Sequence, residues 1–504
     1  MNLDLMAYKF KSILKKNYYF LVIIFLFINI FTRGYKAVER FNFAHDGDLY
    51  SWIVKDIVVN RHLRLIGQET STQGIFVGPL FYYLITPFFL LTNMSPTGVL
   101  IFASILALFT AVSFLYVFNN LFGKTAGLIA LILQTILMPR ILHDRWVVPT
   151  ILESIWDVWY FFCIVKLLKG EFKFLWLLGL LVALMWHINL SLAPLLLLIP
   201  LSIYLSKKRI SKKDIGGFLI FFISASLPLI LFELKHNFSQ SKHFIQSFII
   251  NQGQVGGFDK FMHVLFEATW NLTYLFSYPI EIKFEIRVVI SLLIFLCAWI
   301  LVKRKRLSLQ NFLIFLFWVM SVVAFFSLSS KIISEYYFAN LELIFLAIII
   351  LSFTALIDSP GFGSVIAFIL LTFLIGKNLY FFIFKGHYNQ MGYLERKQTV
   401  EYIAKDASLR GYPCVSISYL TTPGNDLGFR YFFYLQKIHV NQPKSQSPNY
   451  TIVLPWSLST ESAKVRFGPI GVIDPDKSYT KDEVSKSCSG QNSNLTDPLF
   501  GYVE

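Results

Sequence analysis

A chain of 504 residues that is 55% hydrophobic, 17% aromatic and only 15% charged, with a positive mean hydropathy, has lipid as its solvent over most of its length. That composition excludes an ordinary soluble enzyme. The formal net charge of +15 invites a nucleic-acid reading, but the Lys and Arg stand in short clusters between apolar runs, which is how topology is set in membranes, so no nucleic-acid partner is expected.

The apolar runs are each close to the ~20 residues that cross a hydrocarbon core, and they recur from Tyr18 to Phe384. The first, 20–31, follows Lys9, Lys11, Lys15 and Lys16; no small-residue cleavage site comes after it, so it reads as a retained span with a cytoplasmic N-terminus. Runs follow at 77–92, 99–119, 125–138 and 151–165, then on either side of His187-Ile188-Asn189, then near 214–232, 286–302, 311–327, 338–357 and 364–384. The positive-inside rule wants the basic clusters 166–173, 207–213 and 303–306 all cytoplasmic, and the parity fails if every run before Lys166 crosses. The run to leave out is 77–92: it has about 16 residues, holds Pro79 and Pro87, and is rich in the Tyr and Phe that favour interfaces. It is predicted to lie on the outer face as an amphipathic or re-entrant helix. About eleven spans result, with outer loops 34–98, 139–150, 187–190, 233–285 and 328–337 and the C-terminus outside.

The tail turns polar. A helix-like stretch at 395–408 and apolar stretches at 414–420, 429–440 and 450–455, separated by Pro, Gly, Asn and Ser, predict a small extracytoplasmic α/β domain over 387–504 after a membrane domain over 1–386. Its last ~25 residues, rich in Lys, Ser and Asn, are expected to be poorly ordered. Cys163 and Cys297 lie in apolar runs, while Cys414 and Cys488 lie in the tail, where they either pair or stay free; no CxxC or Cys/His spacing suggests zinc.

Chemistry-bearing residues gather in the outer loops. Phe43-Ala44-His45-Asp46-Gly47-Asp48 places two carboxylates and an imidazole just past the first span, ahead of a surface helix whose apolar side would pin them at the bilayer rim; an acidic N-cap is the plainer reading. Glu69 sits in a Gly-rich turn, as a second acid or a solvated loop residue. Arg140, His143, Asp144 and Arg145 fall outside by parity, fit for a phosphate or a divalent ion, or for anchoring beside Trp146. His187, Glu233, His236, Glu335 and Tyr336 reach the same rim, each also open to a structural role.

In that order, HDGDLY, GQETSTQGIFVGPLFYYLITP, RILHDRWVVPT, MWHINLSLAP, LPLILFELKHNF and SEYYF resemble the polyprenyl-phosphate-sugar glycosyltransferases of the GT-C superfamily, over about 15–385. The bacterial branch related to protein O-mannosyltransferases and to the aminoarabinose transferases of lipid A is the most similar. The resemblance implies a polytopic α-helical GT-C membrane fold in a bacterial plasma membrane. It implies inverting transfer of a monosaccharide, mannose or another hexose, from a polyprenyl-phosphate donor to an acceptor hydroxyl on a protein, lipid or glycan. Asp46 matches the general base. Asp48 and Glu69 are the second-acid or metal candidates, with Mg²⁺ or Mn²⁺ as an optional cofactor. Arg140, His143 and Arg145 are candidates for the donor phosphate, and Asp144, His187, Glu233, His236 and Tyr336 for lining the cavity. The chain departs from its relatives in reading Asp46-Gly47-Asp48 for Asp-Glu, and Trp146-Val147-Val148-Pro149 for Trp-Asn-Pro. A transporter or flippase would instead carry charges near the midplane of several spans, where Asp157 and Glu342 are the main candidates, and paired broken helices; no internal repeat of that kind is visible.

Overall fold

In the computed structural model, residues 16–70, 72–249, 257–329, 333–359, 362–386, 391–422, 426–441, 445–459, 462–463 and 465–489 are described. The membrane domain is helical throughout. It runs α1 (Tyr18–Gly34), α2 (His45–Val59), α3 (Leu80–Leu91), α4 (Gly98–Phe122), α5 (Lys124–Ile136), α6 (Met138–His143), α7 (Glu153–Leu168) and α8 (Leu175–Ile188). A 3₁₀ stretch, Leu190–Leu197, leads into α9 (Leu198–Ser206). Then come α10 (Lys212–Lys235), α11 (Ser239–Ile249), α12 (Gly257–Ser277), α13 (Phe284–Lys303), α14 (Leu309–Leu328), α15 (Leu341–Asp358) and α16 (Phe362–Phe384).

Six of these, α4, α10, α13, α14, α15 and α16, are long and apolar enough to cross a membrane. Their burial sorts them: α4 and α15 are largely enclosed by other helices, whereas α10 and α13 leave most of their side chains facing outward, as lipid-exposed spans do. The other expected span positions carry the shorter helices α1, α5, α7 and α8 and the Leu190–Ser206 piece. Helix α3 has 12 residues with Pro87 inside it, and at 1.5 Å per residue it covers about 18 Å, short of the ~30 Å core. Helix α12 lies in the expected loop 233–285; its sequence alternates polar and apolar at helical spacing, so hydropathy alone passes over it.

Close approach fixes two joints. At Gly179 of α8, a Cβ would run into the Phe218 carbonyl of α10, so only glycine lets these two backbones meet. Between α5 and α6 the helix breaks at Leu137, ahead of Pro139, and the freed Met138 N–H donates to Asn378 Oδ1 of α16 at 2.8 Å.

The C-terminal domain is α/β. Its elements are α17 (Tyr393–Leu409), β1 (Cys414–Thr421), α18 (Arg430–Leu435), β2 (His439–Asn441), β3 (Asn449–Leu454), β4 (Val465–Phe467), β5 (Ile470–Ile473) and α19 (Lys481–Ser487). The sheet order is β2-β1-β3-β5-β4, parallel across β2-β1-β3 and antiparallel beyond. Cys414 and Cys488 form a disulfide that ties β1 to the end of α19. Of the final stretch expected to be poorly ordered, 480–489 instead carries α19, opened by a Thr480/Glu483 capping box; the remainder lies outside the described residues.

Candidate functional site

A cavity of about 220 Å³ opens where the five expected outer loops meet. Loop 34–98 contributes Asp46, Gln68, Glu69 and Val77; loop 139–150 contributes Trp146; the break after α8 contributes Asn189; α11 contributes Phe244; and Tyr336 comes from the turn before α15. Its wall is mainly apolar with a few polar groups, the usual make-up of a small-molecule site.

Asp46 stands in the first turn of α2, behind Ala44 as the N-cap, so it is not the cap itself. Half-buried, its carboxyl is pushed above the ordinary carboxylate range by burial, with His45 opposing. Gln68 and Glu69 are held by a short two-stranded turn: Gly67 and Val77 bond through their backbones, as do Gln68 and Val77, and Tyr82 Oη meets the Gln68 N–H at 3.0 Å. Glu69 sits at the mouth with Oε1 accepting the Gly74 N–H at 2.5 Å. Arg64 and Asp56 brace this turn at 2.9 Å, with His62 3.0 Å from the same carboxylate. Tyr336 reaches the cavity beside Trp146, ring centroids 6.2 Å apart.

Other sequence candidates lie outside the cavity wall. Asp48 is buried and turns away from it, accepting the Tyr431 backbone N–H at 2.8 Å. Residues two apart on a helix point about 200° apart, so Asp46 and Asp48 cannot share one site. Asp144 pairs with Arg33 at 2.8 Å. Arg140 pairs with Glu342 at 3.1 Å and donates to Ser154. Arg145 donates to the Thr32 and Tyr35 carbonyls, and His143 lies 3.8 Å from Asp144. His187 places Nε2 3.0 Å from the Ala225 carbonyl and packs its ring over Gly78, where a Cβ would collide with it. Glu233 accepts the Ser241 N–H at 3.1 Å, and His236 stacks on Phe232.

Reading the sequence did not single out Gln68 or Phe244 as lining residues, or the Asp56–Arg64 pair. Neither single residue carries a signal. The Asp56/Arg64 pair is eight positions apart across a helix end, which no helical spacing rule flags.

For a divalent ion, Asp46 and Glu69 offer two carboxylates on the cavity, but among the described residues no group of three or more Asp, Glu, His or Cys is arranged to hold a metal. Asp46 and Glu69 are the residues that would hold such an ion, with the remaining ligands supplied by substrate phosphate or water.

No protein-family model matches the sequence, and no curated protein is similar to it in sequence. Among solved structures, the crystal structure of ArnT from Cupriavidus metallidurans bound to undecaprenyl phosphate superposes with a TM-score of 0.55 at 11% identity, covering 91% of this chain and 98% of that one. The chain therefore has an ArnT-like fold, carried over nearly the whole of both molecules.

Proposed function

We propose that this protein is a membrane glycosyltransferase that moves a hexose such as mannose from a polyprenyl-phosphate donor to an acceptor hydroxyl, with inversion and with Asp46 as general base. The observation that carries this reading is the cavity: on an ArnT-like fold, a half-buried carboxylate faces an apolar-walled chamber built jointly by all five outer loops. The ArnT structure is bound to undecaprenyl phosphate, which supports a lipid of that kind as donor.

In the transfer, the acceptor oxygen attacks the anomeric carbon and its proton passes to Asp46. The bond from that carbon to the phosphate oxygen breaks, and its electron pair leaves with the lipid phosphate. Burial that raises Asp46 makes it a better base than a solvated carboxylate. The phosphate is a good leaving group, so the cavity's main task is alignment. Arg140, His143 and Arg145 are the proposed counter-charges for it, on the loop whose Trp146 lines the chamber; Arg140 would share its guanidinium with Glu342. The Cys414–Cys488 disulfide supports an outside C-terminal domain on a bacterial plasma membrane protein with an inside N-terminus, because such bonds persist in oxidising compartments.

The test is sugar release from a panel of undecaprenyl- and dolichyl-phosphate monosaccharides by purified protein, with a membrane lysate as acceptor source and with or without Mg²⁺ or Mn²⁺. Asp46→Asn is expected to lower kcat by about a hundredfold or more. Turnover indifferent to Asp46 would remove it as the base. No turnover and no donor binding would favour a transporter, for which the buried Glu153 and Asp157 and the half-buried Glu342 would be the starting point.

A further inference from the structure

The first turn of α2 is shared between the cavity and the C-terminal domain. Its Asp46 side faces the chamber, and its Asp48 side is closed over by α17 and α18. The segment leading into α2 is gripped as well: the Tyr393 N–H donates to the Phe41 carbonyl at 3.2 Å, with the two rings stacked at 5.7 Å. Phe43 lies against Phe432 at 4.9 Å, and two turns into α2 Trp52 meets Tyr431 and Tyr434 at 5.8 and 5.5 Å. Tyr431 Oη continues to the Met94 carbonyl at 3.0 Å, beyond the end of α3.

The backbone at this seam is shaped for close approach. A Cβ on Gly47 would come within 2.5 Å of the Phe43 ring, which is itself fully buried, so glycine between the two acids is what lets that ring fold back over α2. On the other side, Gly428 has φ +94 and lies against Ala44 and the Arg396 guanidinium. Tyr431 is fully buried, and its N–H belongs to the first turn of α18, where no intrahelical carbonyl is available to it. Asp48 supplies the missing acceptor from 383 positions away.

We propose that the C-terminal domain is a positioning element for the transfer reaction, and that Asp48, by accepting the Tyr431 N–H, locks the first turn of α2 so that Asp46 is held at the cavity. Asp48 is then a positioning residue with no contact to substrate, which is also why an acid two positions from the base does not stand in for the second carboxylate of the Asp-Glu pattern. What the bond needs from residue 48 is an oxygen acceptor at that place, not a charge. This inference rests on the transferase reading for its kinetic consequence but not for its structural one.

The experiment compares Asp48→Ala with Asp48→Asn in the full-length protein, reading sugar release and hydrogen exchange over 45–59. Asp48→Ala is expected to lower kcat by about ten- to a hundredfold, the penalty for a base displaced by an ångström, with the donor KM unchanged and exchange of the first turn of α2 accelerated. Asp48→Asn keeps an oxygen acceptor and is expected to restore both. If Asp48→Asn is as inactive as Asp48→Ala while its exchange is normal, the carboxylate itself does chemistry and the proposal is wrong. If Asp48→Ala keeps its kcat and its exchange pattern, there is no lock. Tyr434→Ala, which trims a half-buried ring from the same seam without orphaning an N–H, covers the case of an Asp48→Ala protein that does not fold: the same fall in kcat at constant KM is expected, and an unchanged kcat with faster exchange would overturn the coupling. Should the wild-type protein release no sugar from any donor, the transferase reading falls, and the exchange of Asp48→Ala against Asp48→Asn still decides the lock.

Discussion

Replacing Asp48 by Asn should stabilise the protein at neutral pH, an unusual sign for the loss of a buried, hydrogen-bonded group. Burial outweighs the Tyr431 N–H, Arg430, His45 and Arg396, which all favour the charged form, and leaves the Asp48 carboxyl at about 6 instead of 3.8. The folded state thus holds this proton more tightly than the unfolded chain. The contribution of Asp48 to stability is highest below about 3.8, declines as pH rises, and levels off above about 6. The gap corresponds to about 3 kcal/mol. Asn keeps the acceptor for Tyr431 and never ionises, so Asp48→Asn should exceed wild type by up to about 3 kcal/mol at pH 7.5, with the difference vanishing toward pH 4. Urea unfolding followed by tryptophan fluorescence, at intervals from pH 4 to pH 8, measures this. A difference that does not change with pH, or an Asn variant weaker than wild type at pH 7.5, would refute the assignment of Asp48 as a strained charge retained in a docking seam.

The acid limb of the transfer rate should lie above the ordinary carboxylate range, because Asp46 acts only when deprotonated and burial raises it; kcat measured against pH should fall as pH drops through that raised value, and a limb near 4 would mean that the base is solvated. Gly179→Ala should destabilise the membrane domain by roughly 1–3 kcal/mol, since its methyl would meet the Phe218 carbonyl and α8 and α10 would have to part; thermal denaturation in detergent checks it, and an unchanged midpoint would show that the two helices have slack. A cysteine at Gly123, in the open turn between α4 and α5, should escape an impermeant thiol reagent added from outside and react once the membrane is opened; labelling in intact cells would invert the topology of the first four helical runs.

Much of the fold is legible in hydropathy because a bilayer imposes a length on each crossing, and charge parity then isolates 77–92 as the run that does not fit. At that place the chain forms α3, Leu80–Leu91, which follows Pro79 and holds Pro87. The C-terminal helix and the first strand are equally plain, 395–408 lying within Tyr393–Leu409 and 414–420 within Cys414–Thr421. The stretch 429–440 is less so, because its run of aromatics serves a docking surface and divides into α18 and β2 at a Lys437 with φ +54. Asp46, which lines the cavity, stood out in the sequence by its place after the first span. The partner of Asp48 did not, because it is a backbone N–H near the other end of the chain.

The outer rim shows why a polar cluster in sequence underdetermines a site. A membrane protein must satisfy every buried polar group internally, so most of the rim residues that attract notice are consumed in holding loops to helix ends. Arg33 and Asp144 are joined across 111 positions; Arg64 and Asp56 close the base of the cavity turn; and Glu233 fastens the start of α11. Each of these is charged, is near the bilayer surface, and would be a fair candidate for chemistry on composition alone. Asp46 is set apart by having the opposite arrangement. The influences on its carboxyl are burial and the neighbouring His45, with no hydrogen-bond partner among the described residues, and it faces open volume rather than a loop it could hold. Keeping a carboxylate half-buried and uncommitted works against stability, and a fold that supplies partners to Asp56, Glu69, Asp144 and Glu233 has the means to quench this one. That it does not, while it clamps the acid two positions further on, is the physical argument behind the proposal that the first acid takes a proton from something that enters the cavity.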